Sequence, residues 1–98
     1  MATRTISTTA EVVFPRNRLR KSFAIQNEDA VINIFVKQER AETATVSTTD
    51  HDHRLSPGAS IAINSDIDGA EAVQDRWTII AASGTPRIAF FETEDVVR

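Results

Sequence analysis

From Arg18 to Gln26 polar and apolar side chains alternate. Lys21, Phe23 and Ile25 fall on one face, and Arg20, Ser22, Ala24 and Gln26 on the other. Period-two alternation predicts a half-buried antiparallel strand. Asn27 to Asp29 supplies turn chemistry, because Asn and Asp tolerate unusual backbone angles and bond to their own backbone. The chain resumes as "AVINIFVK", with Ile32, Ile34 and Val36 on one face and Val31 and Phe35 on the other. Apolar residues on both faces predict a central strand, or one covered by a second subunit. The two segments are expected to form a hairpin.

The same reading extends to both ends. Residues 1–5 read as a flexible or partner-docked arm, followed by a strand through Val12, Val13 and Phe14 that Pro15 and Asn17 end in a turn. A modest strand is expected over Thr43 to Thr48, then an exposed polar loop. Ser56 to Ser60 is a Pro-Gly turn leading into the short strand "IAIN". Between them and the C-terminus, Ala70, Val73 and Trp77 keep a helical spacing against the turn signal of Asp68-Gly69, so one short helical turn near 68–76 is expected. "WTIIAAS" and "RIAFFET" read as a closing hairpin about Ser83-Gly84-Thr85-Pro86, and the tail "EDVVR" as a segment that frays or docks. About seven strands with frequent turns predict a small antiparallel β-sandwich or barrel.

Composition sharpens this expectation. Ile occurs ten times, Val eight and Thr eleven, against two Leu. Branching at Cβ favours pleated sheet over helix, so the class is all-β. Ninety-eight residues make a single domain over 1–98, with no room for a large internal cavity. A surface site is therefore expected over a deep substrate pocket. The absence of cysteine excludes disulfides, zinc-thiolate sites and cysteine nucleophiles. The N-terminus has no apolar run long enough for a signal peptide or a membrane span. Net charge is −3, split as +3 over residues 1–40 and −6 over 41–98. Such asymmetry suits head-to-tail association or a charged partner as well as a solvated surface.

Candidate chemistry is sparse. His51 and His53, two apart, would share one side of a strand, with Asp50, Asp66 or Asp68 as a third metal ligand; a closed zinc site needs four. "DIDG" lacks the further acidic positions and the final Glu of a calcium loop. Ser56 or Ser60 can be drawn toward His51 or His53, but no nucleophile elbow supports a hydrolase. No phosphate loop or dinucleotide fingerprint is present. These readings predict no enzyme, no cofactor, no small-molecule substrate and no bound metal. Arg16, Arg18, Arg20 and Lys21 concentrate charge, and on a strand Arg18 and Arg20 point the same way as a small basic stripe. Nucleic acid would need a wider basic face with stacking aromatics, so the stripe reads first as a solvated strand edge and, where it docks, as a contact for an acidic protein surface. Phe23, Phe35 and Phe91 are the candidate contact residues on the strand faces.

Taken in order, "NRLRKSFAIQN", "INIFV", "LSPGASIAI" and "WTIIAASGTPRIAFFET" resemble small structural proteins of tailed bacteriophages. Those proteins carry an Arg-rich start, an "L-I-Q-N"-like strand, an "L-x-P-G" turn and a closing segment of the type "A-x-S-G-T-x-x-V-x-V-x-E". Ile25-Gln26-Asn27, Leu55 with Pro57-Gly58, and Ser83-Gly84-Thr85 with Glu92 match that order. The resemblance spans Asn17 to Thr93; the polar middle, "QERAETATVSTTDHDHR", is longer than in the pattern. It implies a virion component made in the host cytoplasm: a head decoration or cement protein, often a homotrimer, bound to the major capsid protein on the outer capsid surface. A tail or head–tail connector component, a carbohydrate- or cell-surface-binding β-sandwich, and a cupin-like metal enzyme are the alternatives. The sandwich binder would need exposed aromatics in a groove, and the cupin a third ligand facing His51 and His53.

Overall fold

The computed structural model describes residues 2–40 and 44–94. Eight strands are present: β1 (Ala2–Thr5), β2 (Glu11–Phe14), β3 (Arg20–Asn27), β4 (Ile34–Glu39), β5 (His53–Leu55), β6 (Ser60–Asn64), β7 (Arg76–Ala81) and β8 (Arg87–Glu94). Two short helices, α1 (Ser65–Asp68) and α2 (Ala70–Gln74), separate β6 from β7. The strands form two antiparallel sheets, ordered β1-β8-β3-β6 and β2-β7-β4-β5. All six ladders are antiparallel. The two sheets pack face to face, so the architecture is an all-β sandwich rather than a barrel.

The pairing follows a simple rule. β1 pairs with β8, β2 with β7, β3 with β6 and β4 with β5, each strand meeting its counterpart from the other end of the chain. The chain thus behaves as one long antiparallel ribbon, folded over so that β3 also zips to β8 and β4 to β7. This is the strand order of an eight-stranded jelly roll.

The structure departs from several of these expectations. β3 and β4 are not a hairpin, since β3 lies in the first sheet and β4 in the second. β7 and β8 are likewise arched across the two sheets and not paired. Alternation identifies a strand and its buried face, but both a hairpin and an arch satisfy it. The N-terminal arm is β1, hydrogen-bonded along β8 from Ala2↔Phe90 to Thr5↔Arg87; Met1 lies outside the described residues. No strand forms over residues 44–48, and Thr43 lies outside the described residues, as does the tail beyond Glu94. The helical turn expected near 68–76 is present as α2, with α1 before it.

The core lies between the sheets. Ile25, Ile34, Val36, Ile79 and Ile88 are fully buried, and the rings of Phe14, Phe23 and Trp77 pack in sequence with centroids 4.8 and 5.1 Å apart. α2 closes one end by inserting Val73 into this core, while the Trp77 Nε1 donates to Ala72 O at 2.7 Å. Asn64 caps α1 through its side-chain oxygen, which accepts from the Asp66 and Ile67 amides. At the opposite end, Asn27 is buried and joins three segments. Its side-chain amide donates to Ile32 O and Leu55 O, its backbone N–H to Ala59 O, and its carbonyl accepts from Gly58.

Candidate binding face

The six residues singled out as contact candidates separate into two groups. Arg16, Arg18 and Phe91 are exposed, while Arg20, Phe23 and Phe35 are buried. Arg20 is a correction with a clear cause. A register irregularity between Arg20 and Ser22 in the β3–β8 ladder inserts Lys21 as an extra residue, and a bulge turns the residues on either side of it. Arg20 therefore points inward with Phe23, although simple alternation puts the two on opposite faces. Its Nε donates to Glu92 at 2.6 Å, its Nη1 to Val73 O and Asp75 O, and its Nη2 to Pro15 O. The guanidinium also lies 5.0 Å from the Phe14 ring centroid. Arg20 is a structural tie between β2, β3, α2 and β8, and the exposed basic stripe is reduced to Arg16, Arg18 and Lys21.

Phe23 is core. Phe35 faces the outer side of the second sheet and is 7 % exposed, because the chain's own 44–52 segment folds back over that side. The His51 ring lies 4.6 Å from that of Phe35, and Val46 is buried outside the main core. The cover is pinned by polar contacts along β4. The Asp52 N–H donates to Val36 O and its carboxylate accepts from the Gln38 amide. Lys37 donates to Asp50 at 2.7 Å, and this hydrogen bond raises the Lys37 pKa above its ordinary value. Burial opposes ionisation of Glu39, yet hydrogen bonds from the Thr45 hydroxyl and amide and from Thr78 outweigh it and hold the carboxyl below its usual range. The second apolar face of β4 is thus covered from within the chain.

The same segment separates the two histidines. Only His53 is in a strand; it pairs with core-facing Val36 and its ring lies 6.1 Å from that of Trp77. His51 packs on the outer side against Phe35, and its Nδ1 lies 3.2 Å from Ser47 O. The imidazoles go to opposite sides of the sheet, which corrects the expectation that they share one. Asp68 turns back to the Asn64 amide. No group of three or more His, Cys, Asp or Glu is placed to hold a metal among the described residues.

The outer face of the first sheet is different. Its outward side chains fall in three rows across the ladders: Asn64, Ser22 and Thr93; Ala62, Ala24 and Phe91; Ser60, Gln26, Ala89 and Thr3. None is charged. At one end an exposed ion pair, Arg87–Glu28 at 3.5 Å, bounds the rows. At the other lies a cleft of about 340 Å³ lined by Lys21, Ser22, Asn64, Ser65, Asp66, Thr93 and Glu94. Phe91, in the middle row, is 42 % exposed and is the one exposed Phe or Trp among the described residues. Solvated sheet faces ordinarily carry charged side chains among the polar ones; the polar residues of these rows are all uncharged.

Comparison with protein-family models, curated proteins and solved structures finds no match to the chain. Of the residues on this face, only Phe91 is a contact candidate from sequence. The signal for the others was present in the alternate positions of three strands, Ser22-Ala24-Gln26, Ser60-Ala62-Asn64 and Ala89-Phe91-Thr93, which lack charge throughout.

Proposed function

We propose that the chain is a structural protein of a tailed-phage virion, a head decoration protein that sits on the outer capsid surface through the open face of its first sheet. The observation that carries this reading is the asymmetry of the sandwich. One outer face is covered by residues 44–52, and the other is left uncharged with Phe91 half-exposed at its centre. Lys21 lines the cleft at one end of that face, and it and the exposed Arg16 and Arg18 have no ion-pair partner among the described residues, which suits an acidic neighbour. The order of motifs that resembles phage structural proteins supports the class, and the jelly roll is an architecture that viral capsid domains share with lectins and cupins. Fold alone does not select among these. An uncharged sheet face of mostly small side chains suits an extended protein surface better than a substrate pocket.

Co-sedimentation with expanded capsids at moderate salt tests the proposal. The native chain is expected to co-sediment, Phe91→Asp to be released, and Val31→Asp, at an exposed loop position, to bind as the native chain does. Arg16→Glu with Arg18→Glu should weaken binding mainly at low salt. Failure of the native chain to bind removes the capsid reading, and undiminished binding by Phe91→Asp removes this face from it.

A further inference from the structure

Each sheet has two edge strands, and three of the four edges carry features that discourage pairing with another chain. β1 is four residues long and holds Arg4 in an ion pair with Glu11 at 3.1 Å. β2 is broken by a register shift between Val12 and Phe14 and is followed by Pro15. β5 is three residues long, with exposed His53 and Arg54. Short length, charge, bulges and proline are the usual protections of an edge. β6 has none of them. Ser60-Ile61-Ala62-Ile63-Asn64 is uncharged, proline-free and in unbroken register with β3 from Gln26↔Ser60 to Ser22↔Asn64.

The backbone of β6 is also available. Asn27 N donates to Ala59 O across the β3–β6 junction, and in an antiparallel ladder the inward and outward groups alternate. Ile61 and Ile63 therefore address β3, whereas Ser60 and Ala62 turn their N–H and C=O groups away from it. Both residues are exposed, and no described group outside the ladder bonds to them. The Asn64 N–H, on the same outward side, is taken by Asp68 at 3.0 Å, which marks the end of the open stretch.

We infer that β6 pairs antiparallel with β6 of a second copy, about a two-fold axis at Ala62. The occupant is set by the chemistry of the strand, which is self-complementary about that residue. With Ala62 opposite Ala62, Ile61 of one copy meets Ile63 of the other on the core side, and Ser60 meets Asn64 on the open side. No like charges oppose each other in that register. The pairing continues the first sheet across the axis as β1-β8-β3-β6 and then β6-β3-β8-β1, so the two uncharged faces merge into one. A five-residue contact buries less than the roughly 1,200 Å² at which stable complexes begin, so the dimer is reversible and grows with concentration. This pairing does not depend on the capsid reading.

Sedimentation equilibrium of the full chain over a wide concentration range tests it, with circular dichroism to verify folding. A monomer–dimer equilibrium is expected. Ala62→Lys, which sets two ammonium groups at the axis, should raise the dissociation constant at least about tenfold. Ala62→Pro removes an outward N–H while sparing the ladder to β3, and should do the same. Phe91→Asp, two strands away from the edge, should dimerise as the native chain does. The inference is overturned by a native chain that stays monomeric at every concentration or forms trimers. It is also overturned by folded Ala62→Lys and Ala62→Pro variants that dimerise undiminished.

Discussion

At Arg20 a guanidinium meets one carboxylate, three backbone carbonyls and the face of Phe14 with its side chain fully withdrawn from solvent. Truncating it strands those carbonyls, so Arg20→Ala is expected to cost about 3–5 kcal/mol in urea unfolding. Glu92 keeps 36 % of its side chain exposed, so Glu92→Gln should cost no more than about 1 kcal/mol. A docking arginine would show the reverse, intact stability with lost binding. The charge of Arg20 was evident in sequence, but its inward direction was not, because one inserted residue at Lys21 reverses the parity and nothing in the local composition marks the bulge. Glu39 gives a second residue-level expectation. Its folded-state pKa lies below its ordinary value of 4.5, so on acidification the unfolded chain takes up its proton first. The resulting stability is full above the ordinary glutamate range and is lost as pH falls through it toward the folded pKa. Glu39→Gln should flatten the acid limb of a thermal-melt series between neutral pH and pH values below 4.5.

Among the elements, the motif residues that carry the phage resemblance prove to be neighbours in space. Asn27 closes β3 and bonds to Leu55 O, Gly58 N–H and Ala59 O, and Gly84, at φ +62°, places its α-carbon beside Ile32. The "I-Q-N", "L-x-P-G" and "S-G-T" segments are therefore joints of the sandwich, selected by turn geometry and buried polar pairing. Asn27→Ala leaves Ile32 O and Leu55 O without their donor and should lower stability by about 2–3 kcal/mol in denaturant melts. Strands and turns were legible because period-two alternation and Pro-Gly signals are local. Partners were not. The turns after Asn27 and at Ser83–Pro86 serve arches between sheets, and a short polar turn has the same composition whether the chain returns alongside itself or crosses the core. β5 was also missed, since three residues with two exposed polar side chains carry too little hydrophobic signal of their own.

For the molecule as a whole, the ribbon topology makes most pairings distant along the chain, with Ala2 opposite Phe90. Only β4 and β5 are both consecutive and paired. Loop closure must precede the contacts that reward it, so refolding is expected in roughly milliseconds to seconds rather than microseconds. Trp77 is the single tryptophan and is 2 % exposed, so stopped-flow fluorescence reports this directly. The all-β class could be read from Ile, Val and Thr usage, and the need for a partner from apolar positions on both faces of β4. The chain itself supplies the cover over Phe35, from a segment too polar to advertise it. The sequence pattern could not show that the exposed side would instead be the small-residue face.

That cover has a practical use. Thr48 and Thr49 are exposed at the turn of the 44–52 segment, and the two sheets stand about 10 Å apart. The turn thus lies on the far side of the sandwich from Phe91. A peptide spliced between Thr48 and Thr49 would project away from whatever the open face touches. On an ordered array, every copy would carry that cargo on its outward side, making the turn a display position fixed by the polarity of the fold.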